Sequence, residues 1–220
     1  MKHFAVFLMI VLIIALVSCL SPYSGKDGTG LPGDETPVEI STLFKPEGST
    51  GWIKFYTNDS KYRNPSGYTL WTYNSNPSGP FTERTVRLYK TTGDNIAGYG
   101  VVICSEQKLI DGKWQQVFLT VMINNNGQYA VGKVIGSSYM HLENWKYCTS
   151  LNKASGQENT IKIIKSAEPN KYQLIFNGLD EGLFFVDSIE PFCSGGQDGY
   201  IIVISPADLR GSAVEAWFYE

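Results

Sequence analysis

Trp71 and Tyr73 stand two residues apart in Tyr68–Tyr73, a segment with strand spacing, so both rings project from one face. Asn74, Asn76 and Ser78 follow at once. This set suits sugar recognition, in which an aromatic plane meets the apolar face of a ring while amides and hydroxyls orient its hydroxyl groups. The same two rings would serve equally as core, where aromatics bury large areas. Trp145 and Tyr147, beside Cys148, form a second aromatic pair. They read either as a loop platform for a ligand or as a plug at the end of a sandwich. His141 is the only histidine after residue 3, which excludes multi-histidine metal centres and makes any Ser-His-Asp triad depend on one side chain. In Ser138–His141 it reads as a polar surface residue. Asp180, Glu181 and Asp198 occupy turns. Calcium takes about six to eight oxygens, and no dense Asp-x-Asp spacing supplies them. The expectation is no catalytic residue, no metal and no cofactor.

The first residues concern location. Met1-Lys2-His3 precedes an apolar run from Phe4 to Val17, short of the roughly 20 residues that span a bilayer. A basic start and an apolar stretch of this length make a secretory signal. Its end, Leu16-Val17-Ser18-Cys19, resembles the lipobox of bacterial lipoproteins. The resemblance implies a signal peptide over 1–18, cleavage before Cys19 and acylation of that cysteine. The membrane would then be a partner through a lipid anchor. Leu20, in place of the Asp that retains lipoproteins at the inner membrane of enteric bacteria, leans towards the outer membrane in a cell that has one.

Cleavage would leave 17 basic against 21 acidic side chains, moving the net charge from −3 to −4. A mild acidic balance without a basic cluster gives no footprint for nucleic acid. Export places Cys104, Cys148 and Cys193 in an oxidising compartment. Cys104 ends the apolar run Tyr99–Ile103 and reads as a buried free thiol, while Cys148 and Cys193 lie at loop-like sites and are the expected disulfide. Three free thiols is the alternative. The absence of Cys-x-x-Cys argues against a structural zinc.

Residues 19–47 are rich in Ser, Pro, Gly and Asp and read as a flexible linker, spanning on the order of 30 Å as a coil. Residues 48–220 change to short alternating segments separated by turn signals. About eleven strands are expected, with Val117, Leu119, Val121 and Ile123 lining one face and Tyr172, Leu174 and Phe176 another. Asn126-Gly127 and Asn177-Gly178 supply the positive φ angles of tight hairpins. The fold class is all-β, an antiparallel jelly-roll sandwich.

From Arg84 to Tyr219 the order of features resembles the concanavalin A-like lectin/glucanase superfamily, which includes laminin-G-like domains. The run includes Arg84–Lys90, Ala97–Cys104, Phe118–Tyr129, Trp145, Glu158–Ile163, Tyr172–Gly178 and Gly199–Val203. Glucanases of this superfamily carry a Glu-x-Asp-x-(x)-Glu strand motif. Here the matching residues are Phe185, Asp187 and Glu190, so an aromatic ring stands where the nucleophile would be. The resemblance implies an exported, membrane-anchored domain that binds without turnover, its partner a glycan or an envelope protein. Trp71, Tyr73, Asn74, Asn76 and Trp145 are the candidate ligand contacts. A hydrolase using other acids, such as Asp187 and Glu190, and a structural or adhesive envelope protein are the alternatives.

Overall fold

The computed structural model describes residues 42–62, 68–73, 80–136, 138–186, 195–205, 208 and 213–220. The strands are β1 (Phe44–Pro46), β2 (Ile53–Thr57), β3 (Tyr68–Tyr73), β4 (Glu83–Thr92), β5 (Tyr99–Ile110), β6 (Lys113–Ile123), β7 (Gln128–Ile135), β8 (Ser138–Tyr147), β9 (Asn159–Lys165), β10 (Lys171–Phe176), β11 (Leu179–Phe185), β12 (Gln197–Ile204) and β13 (Val214–Tyr219). They form two antiparallel sheets that make a jelly-roll β-sandwich. Sheet A runs β1-β2-β13-β4-β9-β10-β11, and sheet B runs β3-β12-β5-β6-β7-β8. Val101, Leu119, Val121, Val131 and Ile202 of sheet B meet Phe55, Leu88, Ile161, Leu174 and Phe218 of sheet A in one core.

The inward face of β4 reads Arg84, Val86, Leu88, Lys90, with a buried cation at each end of an apolar centre. Arg84 crosses to sheet B and donates from Nη1 to the carbonyls of Val102 and Gly199, each at 2.8 Å. Its other amine pairs with Glu220, which also accepts from the Tyr200 hydroxyl. The guanidinium lies 5.2 Å from the Tyr200 ring centre. Lys90 donates to the carbonyls of Asp94 and Ala97 at 2.5 and 2.7 Å. Around it, Asp208 accepts the amides of Asp94 and Ser205. Burial pushes the Lys90 ammonium down to about 8, against the pull of Asp208 and Asp94.

The carbonyls held by Arg84 lie beside a bulge in β5. Pairing steps from Ile103↔Leu119 to Glu106↔Val117 on one side and from Gly199↔Val102 to Gln197↔Ser105 on the other, so β5 carries an extra residue against both neighbours. Cys104, at φ 60°, lies within it and donates its amide to Asp198. Beyond the bulge β5 and β6 run on as a hairpin closed by Asp111-Gly112, both at positive φ. The two-residue turn fits the right-handed twist of the strands.

Three elements depart from the sequence expectation. Strand β1 pairs with β2 inside the stretch assigned to the linker. Strand β8 covers Ser138–Tyr147, read as loop, because this half-exposed edge strand buries little on either face and shows no clean alternation. Strand β11 begins at Leu179, directly after the Asn177-Gly178 turn, instead of at Leu183. The expected Cys148–Cys193 pairing does not form. Cys148 is a buried free thiol beside Ser150 and Glu181, whereas Cys104, expected to be free, is disulfide-bonded. A loop-like sequence was a poor guide, because Cys148 packs into the core at the far end of β8.

Replacing Arg84 with Met would strand two carbonyls and the Glu220 carboxylate. The expected loss is about 2–4 kcal/mol of unfolding free energy in urea, whereas Arg87→Met, on the solvent side of the same strand, costs distinctly less because its pair with Glu158 is exposed. Lys90 gives a pH signature. The unfolded chain holds this proton to about 10.5 and the folded chain releases it from about 8, so stability rises with pH between those values. The unfolding free energy of the wild type minus that of Lys90→Met should rise by about 2–3 kcal/mol from pH 7 to pH 10, measured by chemical unfolding across that range. Working against the rise in both proteins are Cys148 and the buried phenols Tyr139 and Tyr172, all pushed up by burial. The difference between the two proteins removes their contribution.

Candidate functional site

The outer face of sheet B carries a second apolar cluster, separate from the core. Trp71, Val102, Phe118, Met122, Val134 and Ile201 form it, with Tyr139 and Trp145 packed against it. Two glycines make room for the large rings. A Cβ on Gly98 would come within 2.9 Å of the Trp145 ring, and one on Gly132 within 2.3 Å of Tyr139. These rings therefore lie flat against the sheet.

Among these apolar groups are three polar atoms shielded from solvent that make no well-formed hydrogen bond: Thr120 Oγ1 and Tyr139 Oη, which face each other, and His141 Nδ1, on a ring that faces the Glu143 backbone. Thr120 lies between Phe118 and Met122 on β6 and is 0% exposed. Its cross-strand row runs through Gly132 to His141, and the His141 ring meets Tyr139 edge-on at 4.9 Å. Burial lowers the His141 pKa, keeping the ring neutral at pH 7, although a backbone contact at Glu143 pulls the other way. Burial pushes the Tyr139 phenol up to about 12, with Thr120 partly offsetting it. A buried hydroxyl with no partner costs about 1–3 kcal/mol. Three buried polar atoms without a well-formed hydrogen bond meet at this one place.

Alternation along β6 puts Gln116 and Trp114 on this same outer face. Trp114 is 71% exposed and its register partner Leu109 is 60% exposed. Gln107 donates to Gln116 at 2.6 Å, and Gln116 donates to the Ser105 hydroxyl at 2.5 Å. From Trp114 to Thr120 the strand rises about 20 Å. One face thus offers an open indole with amides beside it, then half-buried rings, then the poorly hydrogen-bonded hydroxyls and imidazole.

Of the residues the sequence singled out, Trp71 is buried at 6% exposure with its ring 5.2 Å from Phe118. Trp145 is half-buried over Gly98 and Met122, close to Tyr139 and His141 on the same strand. The backbone of Tyr73 pairs with Gly199, in the row that continues through Val102 to Thr120. Asn74, Asn76, Asp187, Glu190, Cys19 and Cys193 lie outside the described residues. Asp180 accepts from Gln173 and the Gly182 amide, as a turn acid does. Sequence reading passed over Trp114. Its signal was Asp111-Gly112 between two apolar runs, the same hairpin chemistry as Asn177-Gly178.

A second aromatic surface lies on the outer side of sheet A, where Trp52, Tyr89, Trp217 and Tyr219 form a cross-strand ladder. Its ring faces are already engaged: Lys54 sits 4.7 Å from the Trp217 ring centre, and Arg87 sits 5.4 and 5.2 Å from those of Trp52 and Tyr219. Those cations are paired in turn with Glu215 and Glu158. This ladder stabilises the sheet by contacts within it and leaves little ring face for a ligand.

Thr120→Val gives a direct test of the poorly hydrogen-bonded hydroxyls. Made together with Tyr139→Phe, because the two hydroxyls face each other, it removes both polar atoms at nearly constant shape, and the double variant should gain about 1 kcal/mol of unfolding free energy in the absence of ligand, read from urea unfolding. A loss would mean that the hydroxyls are already satisfied.

No family model matches the chain, and no curated protein matches it. Solved structures do match it. One is a GH16 protein from the mixed-linkage glucan PUL of Bacteroides ovatus, in complex with the product G4G4G3G. It is 7% identical at a TM-score of 0.56, over 80% of this chain and 81% of that one. Another is the carbohydrate-binding module CBM66 from Bacillus subtilis, 12% identical at a TM-score of 0.47, over 79% of this chain and 94% of that one. A third is the family 7 alginate lyase A1-II', 12% identical at 0.45, over 80% of each chain. The first of these likenesses supports the fold, a jelly-roll β-sandwich.

Proposed function

We propose that this chain is an exported, lipid-anchored domain that binds carbohydrate on the outer face of sheet B without turning it over. The observation that carries the reading is Trp114. It is a solvent-facing indole next to the Gln107 and Gln116 amides, on the same face as the poorly hydrogen-bonded Thr120, Tyr139 and His141. Trp114 has no ring or cation partner among the described residues, in contrast to the sheet A ladder. An oligosaccharide laid along β6 would stack one ring on the indole with amides at its edge, and a ring further along would bring a hydroxyl to the poorly bonded groups of Thr120, Tyr139 and His141. Strand β8 is the element that can yield to admit it, because it is an edge strand bonded only to β7 with two breaks in register.

The Bacteroides ovatus structure of the same fold holds a glucan product, which agrees with a carbohydrate ligand for this chain. The anchor rests on Leu16-Val17-Ser18-Cys19, and outer-membrane placement on Leu20. Of the alternatives, a hydrolase predicts turnover of the bound glycan, and a structural or adhesive envelope role predicts no glycan binding.

Trp114→Ala should weaken binding to any captured glycan by about tenfold or more while leaving the melting temperature unchanged, because the ring packs on little. Trp217→Ala should do the reverse, lowering stability and sparing affinity. A glycan array followed by calorimetry on the two variants would read this. For the anchor, Cys19→Ser should abolish metabolic labelling with fatty acid.

A further inference from the structure

We propose that the outer face of sheet B is selective for uncharged carbohydrate and rejects uronate- and sulfate-bearing chains. The inference rests on the glycan reading above and names its ligand class.

The groups that would meet the ligand are Gln107, Gln116, Thr120, Tyr139 and His141, and each is neutral. The pairing registers place neutral residues around them on the outward face: Val102 and Leu109 on β5, Trp114, Phe118 and Met122 on β6, and Gly132 and Val134 on β7. The nearest charges on β8, Glu143 and Lys146, are spent on each other at 3.2 Å. Arg84 is committed on the inner side, to the carbonyls of Val102 and Gly199 and to Glu220.

Burial makes this neutrality selective. A carboxylate or sulfate brought to Thr120 would leave its water in a region with no cation to replace it, a cost that rises as the surroundings become less polar. A hydroxyl pays far less. It both donates and accepts, so it can satisfy the Tyr139 phenol, the Thr120 hydroxyl and whichever role the neutral His141 ring presents at Nδ1. Carboxylates and sulfates only accept, and would leave an acceptor on that ring facing an anion. The aromatic rings suit the apolar face of a pyranose whatever its charge, so they do not discriminate. Selectivity falls to the hydrogen-bonding groups.

The test uses the acylated full chain in a detergent without a sugar headgroup. Affinities are measured for neutral oligosaccharides (β-glucan, xylan and mannan fragments) and for oligouronates and sulfated oligosaccharides. Each is measured at about 0.1 M and about 1 M salt, where the screening length falls from roughly 10 Å to roughly 3 Å. The expected result is binding of at least one neutral class, changed less than about twofold by salt, with every anionic class about tenfold weaker or more. Thr120→Val should weaken the neutral ligand by about tenfold, through loss of a buried partner. An anionic ligand that binds as tightly as the best neutral one, and that salt displaces, would overturn the selectivity while leaving the glycan reading intact. Neutral binding indifferent to Thr120→Val would overturn the role given to the buried hydroxyl. Failure of both classes to bind would overturn the glycan reading itself.

Discussion

The sandwich depends on how β4 disposes of the two cations on its inward face. A strand that points Arg84 and Lys90 between two sheets must give each of them oxygen, because an unpaired buried charge is too costly to keep. Arg84 finds its oxygen in the facing sheet. Its planar fork reaches two carbonyls and a carboxylate at once, which an ammonium could not match. Those carbonyls sit where the β5 bulge interrupts the ladder, so cation and bulge complete one another. The bulge also sets the course of β5, whose continuation with β6 displays Leu109 and Trp114 on the outer face. Lys90 does similar work at the other end of the strand, holding the turn from Asp94 to Ala97.

Both outer faces of the sandwich are rich in aromatics, and charge separates their roles. On sheet A every ring stack is interleaved with Lys or Arg, and those cations are paired with Glu215 and Glu158. Such a surface is complete in itself. On sheet B the rings are interleaved with glycine, threonine and glutamine, and polar atoms remain without well-formed hydrogen bonds. Native interiors satisfy nearly all such atoms. On the reading proposed above a ligand completes this face, and the contrast with sheet A is its physical basis.

Much of the fold was legible in the chain because one physical signal, alternation, marked the strands that bury one face, and positive-φ turns marked where they reverse. Strands β6, β7, β9 and β10 follow it, and Asn177-Gly178 closes the β10–β11 hairpin. Strand β8 escaped because it is half-exposed on an edge. The far half of β5 escaped because an extra residue at the bulge shifts the phase of alternation between Ile103 and Glu106. The site was legible only in its address. Trp71 and Trp145 do belong to the outer face of sheet B, but Trp71 is packed away. The open ring is Trp114, and the hydroxyls that lack well-formed hydrogen bonds are cross-strand neighbours far apart in sequence. No spacing rule reports which buried atom is poorly bonded. The cysteines escaped for a similar reason, since local loop character says nothing of which thiol faces the core.

The five tryptophans divide between the faces: Trp71, Trp114 and Trp145 on sheet B, Trp52 and Trp217 on sheet A. Their five indole N–H signals, followed by nitrogen–proton correlation NMR during titration with a neutral oligosaccharide, therefore report directly where a ligand sits. The account predicts a saturable shift of Trp114, a smaller one of Trp145, and silence from Trp52 and Trp217. Shifts confined to Trp52 and Trp217 would contradict it.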